Sequence, residues 1–157
     1  MMSRVEFMEA PMISRVHKTL LILVLAILLA TTLSACSTKN SANLNMMPLD
    51  KMPASVQAAP SVVQQAYQFA AANPDLMKNI PCYCGCGNIG HTSNYSCYIK
   101  NVNASGNLTF DDHALGCSLC VNITQDAMRL RQQGKGVPEI KAYIDSTYSQ
   151  YGTSNMP

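Results

Sequence analysis

The chain lacks a long apolar span. Its run from Leu20 to Leu33 stops at fourteen residues, short of the roughly 20 that a membrane-crossing helix needs. Basic residues are sparse, eleven Lys and Arg against nine Asp and Glu in 157 residues, and they form no patch, so the electrostatic footprint of a nucleic-acid binder is missing. There is no Ser-His-Asp pattern, no phosphate-binding glycine loop and no spaced carboxylate pair, which leaves hydrolase and nucleotide chemistry without support, and no catalytic residue is expected. Neither an internal repeat nor a low-complexity tract interrupts the chain. Histidine is scarce as well: of only three, His91 and His113 lie among the cysteines.

The N-terminus reads as an export leader. Arg15, His17 and Lys18 precede the Leu20–Leu33 run, which ends in Leu33-Ser34-Ala35-Cys36, the order of basic region, apolar region and small residues that marks a signal peptide. Small residues leading into a thiol resemble the lipobox of lipoprotein signal peptidase. The expectation is a signal peptide over 1–35, cleavage before Cys36 and a diacylglycerol on that thiol, with a second acyl signal giving stable anchoring to membrane lipid. The mature chain then faces outward from the cell membrane. An ordinary cleaved leader or a simple anchor is the alternative. The preface Met1 to Pro11 carries Glu6 and Glu9 where positive charge is expected, and Met12 is a second candidate start.

Beyond the leader remain 122 residues with eight Lys or Arg and seven Asp or Glu, enough for one small domain. The stretch 36–60 is rich in Ser, Asn, Pro and Ala and has no apolar period, which predicts a flexible tether. Met46, Met47 and Met52 within it are either linker residues or thioether ligands for a soft metal. From Ser61 the pattern becomes helical. Ser61 and Gln64 fit a capping box after Pro60, and Val62, Val63, Ala66, Tyr67 and Ala70 keep helical spacing until Asn73-Pro74. Asn73 is placed to cap a short turn beginning at Pro74 and reaching Ile80. Cys117, Cys120, Ile123, Ala127 and Leu130 repeat at helical spacing up to Gly134 and Gly136. A last helix from Pro138 presents Ile140, Tyr143, Ile144, Thr147, Tyr148 and Tyr151 on one face, with its tyrosines expected in the core. The two form a predicted helical hairpin. Between them and the first helix, Cys82 to Asp112 is rich in Asn and Gly and keeps no period, predicting an ordered loop with a short strand at Tyr98 to Val102 or Leu108 to Phe110. The fold class is mainly α: a small helical domain over 61–157 with a C-terminal helical hairpin and a Cys-rich irregular loop.

The chemistry lies in six thiols within 39 residues: Cys82, Cys84, Cys86, Cys97, Cys117 and Cys120, with His91 and His113 interleaved. Pro81-Cys82-Tyr83-Cys84-Gly85-Cys86-Gly87 contains two overlapping C-x-C steps. In an extended strand the middle sulfur would face away from its neighbours, and Gly85 and Gly87 permit the positive φ that turns all three to one centre. Cys117 and Cys120 at i, i+3 share a helix face.

On these residues the chain resembles the PCYCGC-motif lipoproteins, extracytoplasmic bacterial proteins named for the hexapeptide that stands here as Pro81 to Cys86. The likeness runs from about Val62 to Tyr151 and takes in Asn73-Pro74, Gly90-His91, Cys97, His113, Gly116-Cys117, Cys120 and the closing helix. The resemblance implies architecture and localisation, and no activity.

Function is therefore read from the ligands. Crowded thiols with two imidazoles suit a soft metal, Cu(I) first because thiolates bridge it readily. Zinc follows, since eight donors would fill two tetrahedral sites, although C-x-C is shorter than the usual zinc knuckle. An iron-sulfur cluster fits neither the spacings nor a leader without twin arginine. The expected role is a store, scavenger or chaperone, with a metal-donating or metal-receiving protein as partner. Two other readings stand beside it: a disulfide-stapled interaction module, since six cysteines outside the cytoplasm are an even set, and a thiol redox protein using Cys117 and Cys120. Asp111 or Asp112 is placed to orient the His113 ring, or Asp112 to cap a helix. Tyr83, Tyr95 and Tyr98 either wall the cluster from water or simply pack.

Overall fold

The computed structural model describes residues 17–24 and 43–157, which belong to separate compact units, 1–39 and 40–157. In the first unit, residues 17–24 are helical with Leu20, Leu21, Ile22, Leu23 and Val24 exposed. No helix among the described residues is long and apolar enough to cross a membrane. Met12, the end of the apolar run and the lipobox with Cys36 lie outside the described residues.

The second unit begins earlier than its apolar period suggests. The segment expected to be a flexible tether is ordered from residue 43: a 3-10 turn over Leu49–Lys51 and a short helix α1 over Ala54–Gln57 fold against the body. Val56 is fully buried and Met52 nearly so, and Leu44, Met46, Met47 and Leu49 pack on the core. The Met47 N–H donates to Gln68 O at 3.0 Å, and Gln68 Nε2 returns a bond to Met47 O at 2.8 Å. These apolar residues touch the core one turn or bend at a time, so no single period betrays them. Their methionines serve packing.

Helix α2, Ser61–Ala72, has the expected twelve residues and buries Ala66, Tyr67, Phe69, Ala70 and Ala71. The Ser61/Gln64 capping box does not form. Pro60 occupies the N-cap, its carbonyl accepts the N–H groups of Val63 and Gln64, and Gln64 Nε2 turns back to Gln57 O and Ala59 O. Pro74 opens the short α3, Pro74–Met77, which ends before the expected Ile80. Asn73, at its N-cap, uses its side chain to tie Asn45 O and Phe69 O rather than to cap α3.

Both candidate strands form. β1, Ile99–Val102, pairs antiparallel with β2, Leu108–Phe110, with Ile99 opposite Phe110 and an irregularity before Asn101. The connecting turn uses Asn103 Oδ1 as acceptor for the Ser105 and Asn107 N–H groups. Helix α4, His113–Gly116, breaks at Cys117, where the backbone is extended (φ −118°, ψ 94°), and α5 runs over Ser118–Gln132. Gly134 turns the chain at φ +80°, and α6 spans Val137–Tyr148, starting one residue before Pro138. Glu139 accepts the Gly136 N–H at 3.0 Å and so closes the first turn.

The predicted hairpin of α5 and α6 is present. Ile123, Ala127, Ile140 and Ile144 are fully buried, Tyr148 Oη donates to Asp126 Oδ2 at 2.8 Å, and the Arg129 guanidinium lies over the Tyr143 ring. Of the tyrosines expected in the core here only Tyr148 is buried. Tyr143, three residues after Ile140, sits at the edge of the buried face beneath Arg129, and Tyr151 is exposed because α6 ends at Tyr148 and a 3-10 turn, Ser149–Tyr151, carries it away. Tyr67 of α2 and Tyr98 meet edge to face with ring centres 4.9 Å apart, joining α2 to the cysteine region.

Candidate metal centre

Local backbone rules set the loop. Gly85 adopts φ +82°, reversing the chain so that Cys86 opens a 3-10 turn, Cys86–Ile89, and Gly90 at φ +89° ends it. A left-handed residue without a Cβ avoids the usual steric penalty, so Gly85 does what its position suggests, while Gly90 rather than Gly87 supplies the second reversal. The His91 N–H then bonds Cys86 O at 3.2 Å. A second 3-10 turn, Tyr95–Cys97, carries Cys97 back under the loop.

All eight predicted ligands converge. Cys82 Sγ lies 3.4 Å from Cys84 Sγ and 3.3 Å from Cys120 Sγ. Cys120 Sγ is also 3.5 Å from Cys84, 3.3 Å from Cys97 and 3.4 Å from Cys117. Cys86 Sγ is 3.7 Å from Cys97, and His113 Nε2 is 3.4 Å from Cys84 Sγ. Two groups of four, Cys84, His113, Cys117 and Cys120, and Cys86, His91, Cys97 and His113, each keep one donor atom per residue within 4.8 Å of the others. Two all-sulfur groups, Cys82, Cys84 and Cys86, and Cys82, Cys97 and Cys120, meet the same limit. These residues could hold a metal ion. All six thiols are free, and Cys82, Cys84, Cys97 and Cys120 each have two or more sulfur neighbours rather than one bonded partner.

Burial divides the cluster. Cys82, Cys86, Cys97, Cys120 and His91 are buried, while Cys84, Cys117 and His113 are half-buried. Cys117 belongs to α5 only as its N-cap, so the pair with Cys120 straddles the helix start rather than lying along its face. The two imidazoles meet edge to face, ring centres 5.1 Å apart. His91 Nε2 is turned to Asp111 Oδ2 at 3.6 Å, and its buried Nδ1 has no hydrogen-bond partner. Asp111 therefore faces His91, where the sequence suggested His113. Its other oxygen accepts the His113 backbone N–H at 2.9 Å, and Asp112, at the N-cap of α4, makes no side-chain cap.

Protons are unevenly shared among the sulfurs. The hydrogen bond with Cys120 draws the Cys82 thiol below its ordinary range, and the same bond holds the Cys120 proton well above it. Burial pushes Cys84 up, reinforced by the charge of Cys82. No Lys or Arg stands between Cys82 and Cys97, so the loop itself supplies no cation to balance clustered thiolates.

Residues outside the predicted set hold the cluster in place. Tyr98 Oη donates to Cys120 O at 2.9 Å, and Thr124 Oγ1 bonds the same carbonyl and Asn94 Oδ1. Tyr83 is buried with its hydroxyl on Asp145 Oδ1 at 2.6 Å, tying the loop to α6. Asn155, on the tail after α6, brackets Cys82: its Oδ1 accepts the Cys82 N–H at 2.7 Å, its own N–H donates to Cys82 O at 3.0 Å, and its Nδ2 approaches Cys86 Sγ at 3.4 Å. Gly152 makes that approach possible, since a Cβ there would come within 2.8 Å of Tyr83 O. No periodicity or motif marks Asn155. Met46 and Met47 pack against the apolar core.

A small helical body built around a free-thiol Cys/His cluster is the class that this fold and site define. Within it, the chain belongs to the PCYCGC family, described as proteins of unknown function with the PCYCGC motif, whose profile matches residues 24–156. No curated protein and no solved structure matches the chain.

Proposed function

We propose that this protein is a lipid-anchored carrier of a soft metal ion outside the cytoplasm, Cu(I) before zinc, acting as store, scavenger or chaperone rather than as an enzyme. The observation that carries the reading is His91. Its imidazole is buried beside the thiols, one nitrogen turned to a carboxylate and the other left without a partner. Orphaned buried nitrogens are costly, and a carboxylate behind an imidazole is the arrangement that orients a metal-binding histidine. Sulfur excess supports Cu(I): two of the four donor groups are thiols alone, and soft thiolates select that ion. The half-buried edge of Cys84, Cys117 and His113 is the side from which a donor or acceptor protein would exchange metal. The lipid anchor rests on the Leu33-Ser34-Ala35-Cys36 sequence.

Reduced full-length protein in detergent, titrated anaerobically with Cu(I) and with Zn(II) against a competing chelator, tests the proposal. Cu(I) should be held tighter than micromolar and tighter than zinc, with affinity weakening as pH falls because protons compete for the thiolates. Binding no tighter than micromolar for either ion, or native protein with its thiols consumed in disulfides, would replace the reading with the stapled module. One reactive thiol at Cys117 without metal binding would replace it with the redox protein.

A further inference from the structure

Resting on that metal reading, we infer that the centre holds two metal ions joined by the Cys120 thiolate. Cys120 Sγ is the hub of the cluster, with the sulfurs of Cys82, Cys97, Cys117 and Cys84 all within 3.5 Å. A single ion cannot use that shell. Tetrahedral coordination takes four donors, and about 2.3 Å per metal–sulfur bond sets sulfurs roughly 3.8 Å apart. Cys120 and its four sulfur neighbours already exceed four, before His113 at 3.4 Å from Cys84 is counted.

The surplus divides cleanly. Cys84, His113 and Cys117 form the half-buried group with Cys120, and Cys82 and Cys97 form the buried group with the same Cys120. Cys120 is the one residue common to both. It is fixed for that position: the side chain is fully buried, and its carbonyl is held by Tyr98 Oη and Thr124 Oγ1. The outer ion takes Cys84, His113, Cys117 and Cys120. Its inner companion takes the buried trio Cys82, Cys97 and Cys120, flanked by Cys86 and His91, whose donor atoms each lie within 4.8 Å of Cys97 Sγ. One thiolate sulfur shared by two ions serves both groups, the sulfurs opening by a few tenths of an ångström from their present contacts to admit the ions.

The test uses full-length protein in detergent, saturated anaerobically with Cu(I), with excess metal removed by a chelator. Elemental analysis should give two ions per chain, and X-ray absorption at the copper edge should show a copper–copper scattering shell. Cys120→Ala should abolish that shell. Cys117→Ala, which changes only the half-buried rim and guards against misfolding of the first variant, should lower the stoichiometry from two to one. One ion per chain in the wild type, two ions without a copper–copper shell, or Cys117→Ala still holding two would overturn the inference while leaving the carrier reading intact. Absence of any tight binding would overturn the carrier reading itself.

Discussion

The α5–α6 hairpin and the cysteine loop, residues 82–97, lie against each other and are ordered for different reasons. In the hairpin, backbone groups close on their own helices, and Ile123, Ala127, Ile140 and Ile144 are withdrawn from water, so apolar burial holds it. The loop has short-range turns, such as Asn88 N–H to Gly85 O and His91 N–H to Cys86 O, and a few distant ties, Asn155 to Cys82 and Tyr83 to Asp145, around a cluster of sulfurs. If the thiols bind metal, the order of the loop should depend on that ion more than the order of the hairpin does. A ligand that binds the folded state stabilises whatever part must be folded to bind it.

The sharpest way to separate the two regions is to damage the hairpin alone. Ile144→Ala, at a fully buried position on α6, should cost about 2–5 kcal/mol in denaturant unfolding while leaving the number of bound ions unchanged; a fall in stoichiometry would show that the regions are one unit. Removing metal should do the reverse. At about a hundredfold excess over Kd, bound metal contributes about 2.7 kcal/mol, so chelation should speed amide exchange in 82–97 by about a hundredfold and spare α6 and the part of α5 beyond its first turn. Equal loss of protection in both would dissolve the distinction.

The smallest effect tests the tie between them, Tyr83 to Asp145. Burial alone would raise the Asp145 carboxyl, but the bonds from Lys141 and Tyr83 outweigh it and hold the carboxyl below its ordinary range. A depressed carboxyl stabilises the fold above the pKa it has when unfolded, and that contribution is lost as pH falls through the folded value. Tyr83→Phe should therefore remove less than about 1 kcal/mol at neutral pH and flatten the acid limb of stability against pH. An unchanged acid limb would remove Tyr83 from this role.

Periodicity made the hairpin legible, since Ile140, Ile144 and Tyr148 repeat on the buried face of α6. It also misled at Tyr143, which sits at the edge of that face, and at Tyr151, which lies past the end of α6 in a 3-10 turn that breaks the helical period. Spacing and residue type found all eight candidate ligands because thiols and imidazoles are rare elsewhere in the chain. The ordered brace of residues 43–59 was not legible: Leu44, Met47, Met52 and Val56 meet the core from different short turns, and one-dimensional periods do not register such contacts. Pairing of Asp111 with His91 escaped for a related reason, since the sequence neighbour of Asp111 is His113 and the β1–β2 pair sets the actual geometry.

The Asn155 bracket bears on the order of events as the chain is made and folded. It joins residues 73 apart, and distant pairings form late because loop closure precedes their reward. A chain emerging N-terminus first exposes all six thiols, the last at Cys120, before Asn155 exists to close over Cys82. Over that interval the thiols have no Asn155 clasp, and an emerging chain should be more open both to oxidants and to metal than the finished fold.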